Sequence, residues 1–367
     1  MGYRIYTNKT KSFMEERHSQ VYTTKKEYSK NLFPSFPKTS LVELSNGCNH
    51  ACIFCTNPRM ERKIGRLDVN LYEKFIRQGR QLGMKEVGLY TTGEPFLMKN
   101  INDYIKIAKK NGIEYIFITT NGGLTEPEKL ISAIESGLDS IKFSVNAGTR
   151  ESYKLVHGVD DFDKVVNNIK YLSKHIKENN INLKLMVSCI ITKHIEDEEE
   201  ILKNLLLPYI DEIVFYGVNS QFGQSIEQIK HLESSLTDPP PAKGKAKPCS
   251  MVWNRVHLTK EGYLTLCCAD YENALTYADL NHTSLKDAWH NQVITEMRKK
   301  HQSQCLEGTL CDNCLYGVED PHYPLTNIGH DDITIPLTSA KKRGTESVNK
   351  RISELSLFKN KNNKGKK

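Results

Sequence analysis

The stretch Gly47-Cys48-Asn49-His50-Ala51-Cys52-Ile53-Phe54-Cys55 sets three thiols within eight residues, just past the apolar run Leu41–Leu44. A loop this short can wrap three irons of a 4Fe-4S cluster with thiolates and leave the fourth iron without a protein ligand, open to chemistry. Zinc is the main competitor. It wants four tetrahedral ligands and commonly uses paired C-x2-C knuckles, of which this loop supplies one half. A disulfide set fits worse, because residues 1–30 hold no continuous apolar segment of the secretory kind. A reducing, cytoplasmic setting is therefore expected.

Outward from this loop, short apolar runs alternate with longer amphipathic ones. Leu41–Leu44, Val87–Thr91, Tyr115–Thr119, Ser140–Val145, Leu183–Ile191 and Glu212–Gly217 lack strict alternation, as strands covered on both faces do. Between them lie helical patterns: Val69 to Leu82 after Asp68 as N-cap, Ile101 to Ala108 stopped by Gly112, Leu130 to Ile134 with Pro127 in the first turn and Gly137 beyond, and Phe162 to Leu172. Strand and helix recurring about six times predict an α/β fold, a partial (β/α)6 barrel of the TIM type, with its chemistry at the carboxyl ends of the strands. The cysteine loop occupies that face. So do Thr91-Thr-Gly-Glu-Pro95, Thr119-Thr-Asn-Gly-Gly123 and Ser144-Val-Asn-Ala-Gly148, each at the end of a later strand. Any one of these is an ordinary turn; together they line one rim.

The spacing of Cys48, Cys52 and Cys55, with aromatic Phe54 before the third cysteine, resembles the signature of the radical S-adenosylmethionine (SAM) superfamily. The resemblance implies a 4Fe-4S cluster whose free iron binds SAM and a 5′-deoxyadenosyl radical made by one-electron cleavage of the sulfonium. Thr92-Gly-Glu-Pro95 resembles that family's G-G-E-P segment, with Thr92 replacing the first glycine. It implies that Glu94 meets the SAM ammonium while Gly93 lets the backbone come close. Ser144, Asn146 and Asn121 are expected to touch SAM by the same likeness.

A second cysteine group follows the stiff, polar stretch Asp238–Lys247, which reads as a linker. Cys249, Cys267, Cys311 and Cys314, with Gly262 five residues before Cys267, resemble the twitch module, the one-cluster relative of the SPASM extension. These four are expected to hold an auxiliary 4Fe-4S cluster, with structural zinc as the alternative. Arg255–Leu258 and Tyr263–Cys267 read as a β-hairpin, and Ser284 starts a helix. Cys267 is preferred over Cys268 by its distance from Gly262 and Cys249, on the premise that neighbours on a strand face opposite ways. Cys305 fits no pattern, and Cys189 reads as a core residue.

The expected organisation is an extension (1–38), the partial barrel (39–237), the linker (238–248), a small cysteine-rich α+β twitch domain (249–322) and a second extension (323–367) ending in a basic, disordered tail. The formal charge is +7 over 367 residues, yet 339–367 carry +8 and 1–40 carry +5, leaving about −6 on 41–338. An acidic body argues against a nucleic-acid surface. The acidic run Glu196–Glu200 reads as a solvated helix start, and no histidine among His157, His194, His257 and His290 shows metal-ligand spacing. No stretch approaches the ~18 apolar residues of a membrane span.

The resemblance implies an oxidoreductase that takes a hydrogen atom from a sugar or aminocyclitol, with the auxiliary cluster accepting an electron and a flavodoxin or ferredoxin supplying the first one. Peptide maturation, RNA modification and non-catalytic cluster carriage are the alternatives. Tyr216, Asn219 and Gln221, after the last strand, are candidates to face substrate. The catalytic base is not legible.

Overall fold

The computed structural model describes residues 2–22, 30–219, 223–224, 226–337 and 345–364. In chain order the first part runs β1 (Tyr3–Thr7), α1 (Phe13–Val21), β2 (Thr39–Val42), α2 (Val69–Gln81), β3 (Glu86–Gly88), α3 (Ile101–Lys110), β4 (Tyr115–Thr120), α4 (Pro127–Glu135), β5 (Ser140–Ser144), α5 (Arg150–His157), α6 (Phe162–Glu178), β6 (Lys184–Ile191), α7 (Glu199–Leu206) and β7 (Glu212–Gly217). Strands β2 to β7 pair in parallel with sequential neighbours, the expected half-barrel. Their apolar side chains merge with the inner faces of the helices in one core that includes Tyr72, Phe75, Ile118, Phe143 and Phe215. The local signals act as read: Asp68 accepts from the N–H groups of Asn70 and Leu71 at 2.9 and 3.0 Å, and Pro127 opens α4.

The sheet is wider than the barrel. Strand β1 adds antiparallel to β7. At the other edge β8 (Arg255–Leu258) adds parallel to β2 and continues antiparallel into β9 (Tyr263–Thr265) and β10 (Thr276–Asp279), giving ten strands. The cysteine-rich segment is thus hydrogen-bonded to the strand that launches the cysteine loop. Helix α1 lies across the amino ends of the strands. Ser12 Oγ and the N–H groups of Phe13 and Met14 donate to Glu212, the first residue of β7. Arg17 pairs in a two-point contact, at 2.6 and 3.0 Å, with Glu86, the first residue of β3.

Helices α8 (Leu285–Trp289), α9 (Gln292–Ser303) and α10 (Leu310–Tyr316) complete the second region, α8 capped by Ser284 as expected. The tail corrects its expectation of disorder: Thr345–Lys364 forms helix α11. Its Val348 and Leu355 are buried, Arg351 donates to the carbonyls of Leu155 and Ala51, and Lys359 pairs with Asp197 and Glu198. A basic composition was outweighed by two apolar anchors and two paired cations. The acidic run is solvated only in part: it starts a helix with Glu196, Asp197 and Glu200 exposed, while Glu198 and Glu199 are buried. Glu198 is 2% exposed and accepts from the N–H groups of Gly148 and Thr149 at the start of α5. Residues 338–344 and 365–367 of the tail, and Gln221, lie outside the described residues. No helix among the described residues is long and apolar enough to cross a membrane.

Candidate active site

The loop after β2 carries Cys48, Cys52 and Cys55 inward, with Ile53 and Phe54 buried beneath it as anchors. Burial pushes Cys48 up to about 12, with Glu94 adding to it. Burial and the neighbouring thiols raise Cys52, and burial raises Cys55. Three thiols this close and this dry keep their thiolate form only when a metal centre answers the charge. The donor set therefore fits an iron centre held by three sulfurs.

Gly93 is where the second motif meets the loop: a Cβ there would sit 2.3 Å from the Ser45 carbonyl oxygen and 2.4 Å from that of Gly47. Glu94, 2% exposed, accepts from Phe96 N–H (3.0 Å), Thr120 Oγ1 (2.7 Å) and Asn121 N–H (2.8 Å). A carboxylate has about four lone-pair sites, so about one remains for a ligand donor. Thr92 donates its hydroxyl to Glu43, an interaction glycine lacks. Asn121 Nδ2 lies 3.6 Å from Cys48 Sγ, and Ser144 stands opposite Ser188 at the carboxyl end of β5. Asn146 is committed internally: its Oδ1 accepts from Ile190 N–H at 2.8 Å and its Nδ2 lies 3.2 Å from His157 Nε2.

His157, for which the sequence offers no metal-ligand spacing, is a fully buried histidine that lies against the cysteine loop. Its Nε2 accepts from Asn146 N–H at 3.2 Å, so in the neutral ring the proton sits on Nδ1. Nδ1 is 3.6 Å from Cys52 Sγ and 3.1 Å from His50 Nδ1, and His50 Nε2 is 3.1 Å from Asp161 Oδ2. Burial drives His157 well below its usual range and lowers His50, consistent with neutral rings. The chain Asp161–His50–His157–Asn146 thus runs beneath Cys52.

The second thiol group assembles from three segments. Cys311 and Cys314 share one face of α10, three residues apart, behind the N-cap Thr309. Burial raises Cys249, Cys311 and Cys314, the last to about 12; Cys249 adds to the shift of the other two. The argument from strand faces does not apply to Cys267 and Cys268, because β9 ends at Thr265 and both lie in the following turn. Cys268 acts electrostatically on Cys249 and Cys314. A hydrogen bond with Cys267, with His257 and Arg255 nearby, holds Cys268 well below the usual thiol range, while that bond and burial raise Cys267. Cys189 is 1% exposed within β6 and Cys305 is at the surface.

The two thiol groups are neighbours. Cys55 and Cys267 pack on one small apolar cluster, Met60, Ala269 and Tyr271, and Tyr271 Oη is 3.5 Å from Cys55 Sγ. Arg62 clamps the regions together. It makes two 2.8 Å bonds to Glu43, just after β2, and reaches Glu261 (3.0 Å) and Asn273 (2.6 Å) in the second region. No spacing rule in the sequence points to Arg62, Tyr271 or the His50–His157 pair.

Against this geometry, comparison with known proteins is specific. The profile of the radical SAM superfamily matches residues 42–207, and that of the SPASM iron-sulfur cluster-binding domain matches 249–315. The chain carries a radical SAM domain followed by a SPASM domain. Its first domain accordingly binds a 4Fe-4S cluster and SAM, and its second auxiliary iron-sulfur chemistry. A probable GTP 3′,8-cyclase of Saccharolobus solfataricus is 35% identical over 35% of this chain and 41% of its own, and a PqqA peptide cyclase of Gluconobacter oxydans 29% over 34% and 35%. The chain thus spans less than half the length of these curated relatives. Among solved structures, BtrN in complex with AdoMet and 2-DOIA superposes with a TM-score of 0.50 at 18% identity, covering 77% of this chain and 96% of BtrN. SuiB of Streptococcus suis bound to its precursor peptide SuiA gives 0.58 at 15%, covering 90% and 82%. These likenesses are of fold.

Proposed function

We propose that this enzyme is a twitch-type oxidoreductase acting on a small, carbohydrate-like or aminocyclitol substrate. Cys48, Cys52 and Cys55 hold the SAM-binding cluster, and Cys249, Cys267, Cys311 and Cys314 an auxiliary 4Fe-4S cluster. When bound, SAM and the two clusters supply a hydrogen-abstracting radical and an electron acceptor. The chain's residues do the rest. Phe54 anchors the loop, Gly93 and Glu94 offer a close backbone and an acceptor for the ammonium of SAM, and Asn121, Ser144 and Asn146 line the rim.

The observation that carries the small-molecule reading is a cavity of about 240 Å³ inside the barrel. It reaches Thr119 and Tyr216 toward the rim and Arg255 beside the auxiliary thiols, and α1 closes it below. This lies under the ~300–1,000 Å³ of drug-sized pockets and suits one ring. Peptide maturation is the second reading, favoured by the likeness to a peptide cyclase and to a peptide-bound structure. RNA modification is less favoured, since Arg351 and Lys359, two of the ten basic residues of 339–367, are engaged by the fold.

The test is anaerobic reconstitution with iron and sulfide counts and an assay of SAM cleavage to 5′-deoxyadenosine, with a flavodoxin or ferredoxin as electron donor and with sugars, aminocyclitols or peptides present. About eight irons per chain and cleavage stimulated by a sugar or cyclitol are expected. Stimulation by peptide alone defeats the proposal. About four irons with zinc in the second site removes its redox step.

A further inference from the structure

The cavity inside the barrel has an unusual charge balance. Four basic residues border it: Arg17, His18, Lys142 and Arg255. Arg17 is answered by Glu86, outside the cavity, in a contact whose partners are mostly buried. Glu212, the acid on its wall, already accepts from Ser12, Phe13 and Met14. Lys142, in the middle of β5, makes no hydrogen bond or ion pair with any described residue. Arg255, first in β8, forms none through its guanidinium either: its Cζ lies 5.2 Å from the centroid of the Tyr22 ring, and its Nε is buried without a partner. The auxiliary thiols reach Arg255 electrostatically, so part of its charge is answered there. Glu212 answers part of the Lys142 charge in the same way, though its oxygens are already taken up by Ser12, Phe13 and Met14.

Four basic groups thus share a cavity wall that carries one acid, and neither Lys142 nor Arg255 is tied into an ion pair, so charge is left over for a ligand to answer. Burial pulls Lys142 down to about 8 and Arg255 to about 10, with Arg17 adding to both, and burial and the three cations pull His18 to about 4. An anion in the cavity reverses each of these shifts. A protonated amine meets two positive charges.

We propose that the barrel cavity binds an anionic substrate, a monosaccharide-sized molecule whose carboxylate or phosphoryl group is held by Lys142 with Arg255 beside it. This rests on the small-molecule reading above and decides within it, favouring an acidic or phosphorylated sugar over an aminocyclitol. Tyr90 and Tyr216 on the cavity wall face the remaining ring.

Calorimetric titration of the cluster-reconstituted protein with glucuronate, glucose 6-phosphate, glucose and glucosamine tests it. At least one anionic sugar binds ~10-fold or more tightly than glucose and glucosamine, the scale of a hydrogen bond to a charged group. Tighter glucuronate identifies a carboxylate, tighter glucose 6-phosphate a phosphoryl group. Lys142→Met loses that preference; Lys142→Arg keeps it. Equal affinity for charged and neutral sugars overturns the proposal, as does an anion preference that survives both Lys142→Met and Arg255→Met. Binding is read without SAM cleavage. A protein that binds anions yet forms no 5′-deoxyadenosine therefore refutes the proposed reaction and keeps the site, whereas cleavage with indifference to charge refutes the site alone.

Discussion

His157 shows how much a single side chain depends on neighbours far along the chain. Its Nδ1–H points at His50 and at Cys52 Sγ because Asn146 claims the other ring nitrogen. A donor fixed this way orients a thiolate and steadies its charge, and losing such a partner typically costs ~10–100-fold in metal affinity. His157→Phe is expected to lose iron that much more readily under chelator challenge, with near-normal helix content; retention equal to wild type removes the role. Residues 50 and 157 are 107 positions apart, and nothing in either segment signals the other. The thiols were legible because their ligand geometry is written into one short loop. The histidine pair was not, because it forms only where the cysteine loop after β2 meets the end of α5.

At the scale of elements, the cysteine loop is fastened to the second region by groups on several strands and turns. Arg62→Met leaves Glu43 and Glu261 without their shared cation, and Glu43 is 2% exposed. Breaking a buried pair from one side costs about 3–5 kcal/mol, so denaturant melts should show a loss on that scale; a loss under ~0.5 kcal/mol, typical of a surface change, denies the clamp. Glu272 gives the same junction a pH dependence. It accepts from the N–H groups of Glu61 and Arg62, yet burial pushes it from 4.5 up to about 7. The folded chain therefore holds this proton to about pH 7, whereas the unfolded chain releases it near 4.5. The resulting stabilisation is complete below 4.5 and disappears as pH rises through 7. Glu272→Gln should flatten that part of the melting profile between pH 5 and 8, and an unchanged slope contradicts the assignment. The six parallel strands were readable from apolar runs within three residues of their ends. The joining of β8 to β2 was not, since backbone pairing leaves no mark on side-chain pattern.

For the whole molecule, the unexpected part is the carboxyl-terminal helix. Helix α11 buries Val348 and Leu355 and sets Arg351 on the Ala51 carbonyl, one residue from Cys52. Burying two aliphatic side chains is worth about 1.5–3 kcal/mol each. A chain ending at Leu337 should melt several degrees lower and lose iron faster from the first cluster, with RNA affinity and its salt slope unchanged. A drop in RNA affinity on truncation would instead restore a nucleic-acid role for the tail. The composition of 339–367 suggested a solvated tail because Lys and Asn dominate it. Two apolar residues seven positions apart were enough to seat a helix once the groove beside α5 existed.

The sequence alone determined the chemistry and the architecture. Thiol spacing is local and fixes what a loop can ligate, and repeated apolar periods fix strands, helices and their parallel order. Tertiary structure decided which groups meet: Cys267 beside Cys268 in a turn, Tyr271 between the two thiol groups, His157 under Cys52, and Lys142 on the cavity wall with Arg17 and Arg255. Those outcomes depend on distances between segments remote in the chain, which packing sets and no local pattern encodes.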